Sequence, residues 1–273
     1  MAESPKSAWP QSSVLRPFSL NELFALWERY PDAVPYSGGT GSGRTELPNN
    51  ILSLEGIEEL GRITRTERYL ELGAMVRLSE IIALGKNTQR NAMISDALTL
   101  SLLHTAAPAV RNLATIGGCV ISGGDALAAM TALDARYELR GARQTRWISA
   151  ARFSVLGGVL AYHELLTRIR IPLEQWDYTI PYKFDEGTLL ILIRNQKNLL
   201  AKIQVIFGGK NLLLRDKNTE TFLEGQRLPL EKKDVLRFVE LWENYLAGLG
   251  TPDPFLKTRI LNSIEAGLLG LAV

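Results

Sequence analysis

Two glycine-rich segments carry the residue types best suited to chemistry: Gly38-Gly39-Thr40-Gly41-Ser42-Gly43 and Thr115-Ile116-Gly117-Gly118-Cys119. Glycine leaves backbone N–H groups uncovered, and runs of such amides offer positive partial charge to an anion without an ionised side chain. Two such turns, each following apolar residues, can pinch a pyrophosphate from opposite sides. Asp125 follows the second turn at the head of an apolar stretch. It reads either as a plain helix N-cap or as an acceptor for a sugar or ribityl hydroxyl.

The first segment fails two familiar tests. Gly38 to Thr45 fits the phosphate-loop pattern except that Arg44 stands in place of lysine. A working phosphate loop runs straight into a helix, whereas Pro48-Asn49-Asn50 ends any helix almost before it starts. The dinucleotide fingerprint would require glycine where Arg44 stands. Taken alone, the segment also reads as a flexible hairpin turn.

Other chemistries are narrowed by what is scarce. One cysteine, Cys119, excludes an internal disulfide and any iron–sulfur cluster held by this chain alone. With two histidines, His104 and His163, a zinc site is not expected, and no catalytic or metal-ligating residue is assigned. Cys119 reads as a small buried residue in a tight turn, or as a redox-sensitive thiol. Lysine and arginine number 31 against 29 acidic residues, without the concentrated charge of a nucleic-acid binder. The longest uncharged stretch, Ala97 to Val110, is 14 residues, short of a spanning helix. No apolar signal region follows Met1, so the expected location is cytoplasmic.

The elements that must position the two turns are legible by pattern. Ser19-Leu20-Asn21-Glu22 is a capping box, with Leu23, Leu26, Trp27 and Tyr30 at helical spacing. Ala33 to Tyr36, Ile51 to Leu54 and Tyr69 to Leu72 read as short strands. Arg77 to Leu84, Asp96 to His104 and Ala126 to Leu133 read as helices. Tyr137 to Arg140, Arg146 to Ile148 and Glu164 to Ile171 read as further strands, the last ending at Pro172. Leu173 to Phe184, aromatic and turn-rich, reads as a linker. Two adjacent strands, Thr188 to Ile193 and Leu199 to Phe207, and three helices follow, over Lys217 to Leu223, Lys232 to Leu246 and Asp253 to Leu269. With 273 residues, 46% of them hydrophobic, the expectation is two α+β domains that meet near residue 174.

At the second glycine turn the sequence resembles a known family. Val110-Arg111-Asn112-Leu113-Ala114-Thr115-Ile116-Gly117-Gly118 is similar to the Ile-Arg-Asn-x-Ala-Thr-Ile-Gly-Gly-Asn motif in the FAD-binding subunits of molybdenum hydroxylases. These include xanthine dehydrogenase, aldehyde oxidase and the medium subunit of aerobic carbon monoxide dehydrogenase. Gly38-Gly39-Thr40-Gly41 resembles the family's earlier glycine turn. The helix from Asp125 to Ala135 and the Glu164-Leu165-Leu166-Thr167 to Pro172 strand resemble the segments that follow. Pro181-Tyr182-Lys183-Phe184 and Glu220 to Gly225 extend a looser likeness towards the C-terminus.

The resemblance implies a two-subdomain FAD-binding domain of the vanillyl-alcohol oxidase-like type over 1–174, split near 67. A smaller α+β domain would follow over 175–273, like the C-terminal domain of the carbon monoxide dehydrogenase flavoprotein. It implies FAD contacts at Gly38, Gly39, Thr40, Gly41, Ser42, Thr115, Gly117, Gly118, Cys119, Asp125, Leu166 and Lys183. It also implies electron transfer from iron–sulfur clusters on one partner subunit, fed by molybdopterin on another, to an acceptor such as NAD. Some residues depart from the family. Gly41 replaces an acidic residue, Cys119 an asparagine, and Leu156 to Leu160 a basic stretch; the segment before Asp125 is shorter. No arginine follows Lys183. A second reading therefore stays open: a degenerate member, kept as a structural subunit, with weak or no FAD binding.

Overall fold

The structure is a computed structural model that describes residues 13–40, 48–86, 96–123, 125–155, 158–209, 212–249 and 253–272. Helix α1 (Leu20–Arg29) starts where expected. The Ser19 hydroxyl accepts from the Glu22 N–H, and Leu20, Leu23, Phe24 and Trp27 bury one stripe. The helix stops at Tyr30, before Pro31, and β2 (Val34–Tyr36) follows. Strands β1 (Ser13–Leu15), β2 and β3 (Asn50–Ser53) form a small parallel sheet in the order β1-β3-β2.

A second sheet holds the middle of the chain. Its strands are β4 (Ile63–Arg65), β5 (Tyr69–Gly73), β6 (Arg136–Arg140), β7 (Thr145–Ser149) and β8 (Leu165–Pro172). Among the described residues they run antiparallel in the order β4-β5-β8-β6-β7. Strand β8 alternates, with Ile169 and Ile171 buried in the core. On the opposite face Arg168 and Arg170 pair with Glu71, as period-two side-chain alternation dictates.

Helices α2 (Leu78–Lys86), α3 (Asp96–Thr105), α4 (Pro108–Arg111), α5 (Ile116–Ser122), α6 (Asp125–Ala132) and α7 (Ala150–Val155) complete this part. Helix α6 is buried from Ala126 to Met130 with no polar stripe, the mark of a helix enclosed on all sides. It packs close to the third sheet because Gly208 lacks a Cβ; one built there would stand 2.5 Å from the Ala128 Cβ.

The third sheet contains β9 (Tyr178–Lys183), β10 (Gly187–Gln196), β11 (Leu199–Gly209) and β12 (Leu212–Leu214), all antiparallel, in the order β12-β11-β10-β9. Helices α8 (Lys217–Leu223), α9 (Lys232–Gly248) and α10 (Pro254–Leu269) accompany it. The linker reading of Leu173 to Phe184 is corrected here, because Tyr178 to Lys183 is the edge strand β9. Its aromatic and β-branched residues suit a pleated surface, and an edge position tolerates Pro181, which has no N–H to donate. Leu190, Leu192 and Ile206 of this sheet join the core of the second sheet.

Candidate functional site

The turn after β2 and the start of α5 are distant in sequence and adjacent in space. Gly38 has φ +58°, and a Cβ there would stand 2.1 Å from the Leu113 carbonyl oxygen. Glycine alone accepts both the left-handed angle and that approach. Beside it the Thr115 hydroxyl donates to Ser37 Oγ at 3.3 Å, joining the two segments.

Residues 74–78 form a strap behind α5. The Ile116 and Gly117 N–H groups donate to the Val76 and Ala74 carbonyls, each at 2.9 Å. Gly117 permits this contact, since a Cβ there would come within 2.7 Å of Ala74. The Ala74 N–H donates to Thr167 on β8 at 3.0 Å, which ties the strap to the second sheet. Arg111 has a structural task as well, donating to the Leu103 carbonyl near the end of α3.

These bonds correct one expectation. Thr115 to Cys119 is the N-cap and first turn of α5, so Gly117 and Gly118 do not adopt the left-handed backbone. Their amides are already engaged. Besides those of Ile116 and Gly117, the Gly118 N–H donates to Thr115 Oγ1 at 3.2 Å and the Cys119 N–H to the Thr115 carbonyl at 3.0 Å. The glycines here serve by lacking side chains, not by offering free amides.

Between the two segments opens a cavity of about 640 Å³, within the roughly 300–1,000 Å³ common for small-molecule and cofactor sites. Ser37 and Gly39 line it from the first segment, and Gly117, Gly118 and Ser122 from α5. Leu165 and Leu166 contribute apolar surface from β8. Asp32 and Glu164 bring carboxylates; no lysine or arginine among the described residues lines it. Glu164 is buried and bound by the Arg146 fork at 2.7 and 2.8 Å. That hydrogen-bonded guanidinium holds its carboxyl below the ordinary range.

The remaining sequence candidates are placed as follows. Thr40 is exposed at the end of the first turn, and Gly41 and Ser42 lie outside the described residues. Asp125 opens α6, and its side chain lies outside the described residues. Lys183 ends β9 and is exposed, without lining the cavity. Cys119 is half-buried and packs against the core beside α5. Burial pushes its thiol up to about 11, so on the order of one molecule in a thousand is thiolate at pH 8. Native Cys119 should therefore react with iodoacetamide at pH 8 at least tenfold more slowly than in the urea-unfolded chain. Equal rates would show an accessible thiol.

Sequence reasoning missed Ser37, Ala74, Tyr162 and His163. Ser37 had a signal, a hydroxyl just before a glycine pair. Ala74 had none, because its part is played by a backbone carbonyl. His163 is half-buried against the Trp27 ring, with centroids 4.8 Å apart.

Comparison with known proteins agrees with this geometry. The nicotinate dehydrogenase FAD-subunit of Eubacterium barkeri is 30% identical over 147 residues, spanning 50% of this chain and 48% of that protein. Aldehyde oxidase 2 of Cavia porcellus is 29% identical over 184 residues, 61% of this chain but 14% of that protein. The chain thus spans about half the length of the first and a small part of the second. Among solved structures, quinoline 2-oxidoreductase from Pseudomonas putida 86 matches with a TM-score of 0.78 at 21% identity, over 96% of both chains. Carbon monoxide dehydrogenase from Hydrogenophaga pseudoflava, in a form lacking the Mo-pyranopterin moiety, matches with a TM-score of 0.75 at 20% identity, over 96% of both chains. These two likenesses confirm the α+β fold. Residues 10–174 match the family described as the FAD binding domain in molybdopterin dehydrogenase. With both glycine segments inside that span and meeting on one cavity, this chain belongs to the family of FAD-binding domains of molybdopterin dehydrogenases.

Proposed function

We propose that the cavity holds FAD and that the chain is the flavin subunit of a molybdenum hydroxylase-type complex. In this reading it passes electrons from iron–sulfur clusters on a partner to an acceptor such as NAD. The carrying observation is that Thr115 and Ser37 bring both glycine segments onto one cavity. The residues present suit the cofactor. Gly39, Gly117 and Gly118 give the cavity stretches of wall without side chains, and Leu165 and Leu166 add apolar surface for a flat ring system. We extend the binding surface to Thr40, Gly41, Ser42, Cys119, Asp125 and Lys183 on the resemblance. Bound FAD supplies the redox chemistry, while this chain's residues hold and orient it.

One cysteine cannot hold iron–sulfur clusters, so those and the molybdopterin are assigned to partner subunits, and the chain alone should hydroxylate no substrate. We read residues 1–174 as the FAD-binding domain, split near 67, and 175–273 as the C-terminal domain. No helix among the described residues is long and apolar enough to cross a membrane, and we place the work of the complex in the cytoplasm.

A specific observation favours the second reading, a structural subunit that binds FAD weakly. The first amides of α5 are satisfied internally, and no described cation lines the cavity. A fluorescence titration separates the two. The first expects flavin emission to change with saturation in the micromolar range. Emission unaltered at millimolar FAD, with the chain folded by circular dichroism, would establish the second.

A further inference from the structure

One wall of the cavity is a stack of rings that the binding of a pyrophosphate does not require. Tyr162 lies flat on His163, with centroids 3.9 Å apart and planes at 20°. His163 in turn leans on Trp27. Tyr162 and His163 are both tied to the turn after α1: Tyr162 Oη–H donates to the Pro31 carbonyl at 3.4 Å, and His163 Nε2–H donates to it at 3.2 Å. The turn that carries them is pinned as well. Glu164 accepts from the Ala161 N–H at 3.1 Å and from both arms of the Arg146 fork. His163 sits in the left-handed region at φ +54°, which few residues other than glycine adopt, histidine more readily than most.

This scaffold presents one surface. Tyr162 is 79% exposed, its ring lines the cavity, and one of its two faces is taken by His163. A solvent-exposed tyrosine normally loses rotamer freedom when it binds, and this one is already ordered, which lowers the cost of stacking. The surroundings select the kind of ring. The acidic groups among the described residues that line this cavity are the carboxylates of Asp32 and Glu164, the second of them paired with Arg146, and no lysine or arginine lines it. An isoalloxazine that gains negative charge on reduction is disfavoured beside carboxylates, whereas an adenine stays neutral.

Resting on the FAD reading above, we infer that Tyr162 is the stacking platform for the adenine ring of the dinucleotide, with His163 and Trp27 as its backing. The test uses the full chain and three probes: FAD, ADP and FMN. Tyr162→Ala should weaken FAD and ADP binding about tenfold, leave FMN binding unchanged and leave the visible flavin spectrum in place. Tyr162→Phe should restore both affinities, since the ring and not the hydroxyl does the stacking. Because Tyr162 is mostly exposed, the melting temperature should hardly move, which separates this loss from unfolding. Parental FAD affinity in Tyr162→Ala would overturn the platform alone. A loss for FMN as large as for FAD would put the isoalloxazine on Tyr162 and overturn the adenine assignment. A parent chain that binds none of the three probes would overturn this inference together with the FAD reading.

Discussion

Gly38→Ala should cost about a hundredfold in FAD affinity while the chain stays folded. Two effects combine at this position. The left-handed backbone at φ +58° charges an L-residue roughly 1–2 kcal/mol. The added methyl would also sit 2.1 Å from the Leu113 carbonyl oxygen, so one backbone segment must retreat from the other, at about 1–3 kcal/mol by analogy with overpacking. Relief comes by moving the surface turn outward, which separates Ser37 from Thr115 and opens the cavity where both segments face it. A retreat worth about 2.7 kcal/mol in binding is a hundredfold. The matched control is Gly225→Ala, at φ +84° with nothing within 4 Å of the new methyl. It carries the backbone strain without the close approach and lies far along the chain from both segments. Its expected signature is a slightly lower melting temperature with parental FAD affinity. Equal affinity in both variants would remove the first turn from the site.

The fold was readable where one physical rule dominated locally. Helix α1 announced itself through Ser19, Glu22 and the helical spacing of Leu23, Leu26, Trp27 and Tyr30. Strand β8 did so through alternation and its closing proline, and α8 and α10 through residues that fit helical spacing from end to end. Strand β9 was missed because Pro181 and the surrounding aromatics look like loop residues until a neighbouring strand turns them into a sheet edge. Strands β1, β4 and β12 are each three residues long and carry too little pattern to show a period.

The site was legible in outline and opaque in mechanism. Both glycine segments stood out, and so did the expectation that they would converge. Their division of labour did not. Gly38 and Gly39 adopt positive φ, as a turn requires, whereas Gly117 and Gly118 are helical and serve close packing. A glycine letter carries no sign of which property is in use; that depends on the Leu113 carbonyl in one case and on Ala74 in the other. The strap at 74–78 and the ring stack at Tyr162 depend on contacts across the fold, and composition or spacing cannot encode them.

Arg215→Ala should lower stability by about 3–5 kcal/mol at neutral pH, and the loss should shrink as the solution is acidified. Arg215 forks onto Glu220 at 3.1 Å through both Nε and Nη2, and the two side chains are 9% and 5% exposed. Its remaining arm reaches the Thr131 carbonyl at 3.4 Å and Asp134 at 3.3 Å, so it joins α6 to the third sheet. Asp134 is also held by Lys202 and Gln204. Removing the guanidinium leaves Glu220 buried, with the Val205 N–H still donating to it at 2.9 Å but no countercharge. Burial already raises the Glu220 carboxyl above its ordinary value, against the pull of Arg215. Without Arg215 it must rise further. A carboxyl whose folded pKa exceeds its unfolded one binds its proton more tightly in the native state, so stability falls as pH rises through that window. The variant's deficit relative to the parent should therefore be largest near pH 8 and smaller near pH 5, approaching the ordinary carboxylate range. Urea unfolding of both chains at the two pH values measures it, and Arg215→Met with Glu220→Leu should recover much of the loss by replacing both charges with apolar bulk. A deficit identical at both pH values would mean that Glu220 does not take up a proton, and that the stranded carboxylate is relieved by water entering the seam.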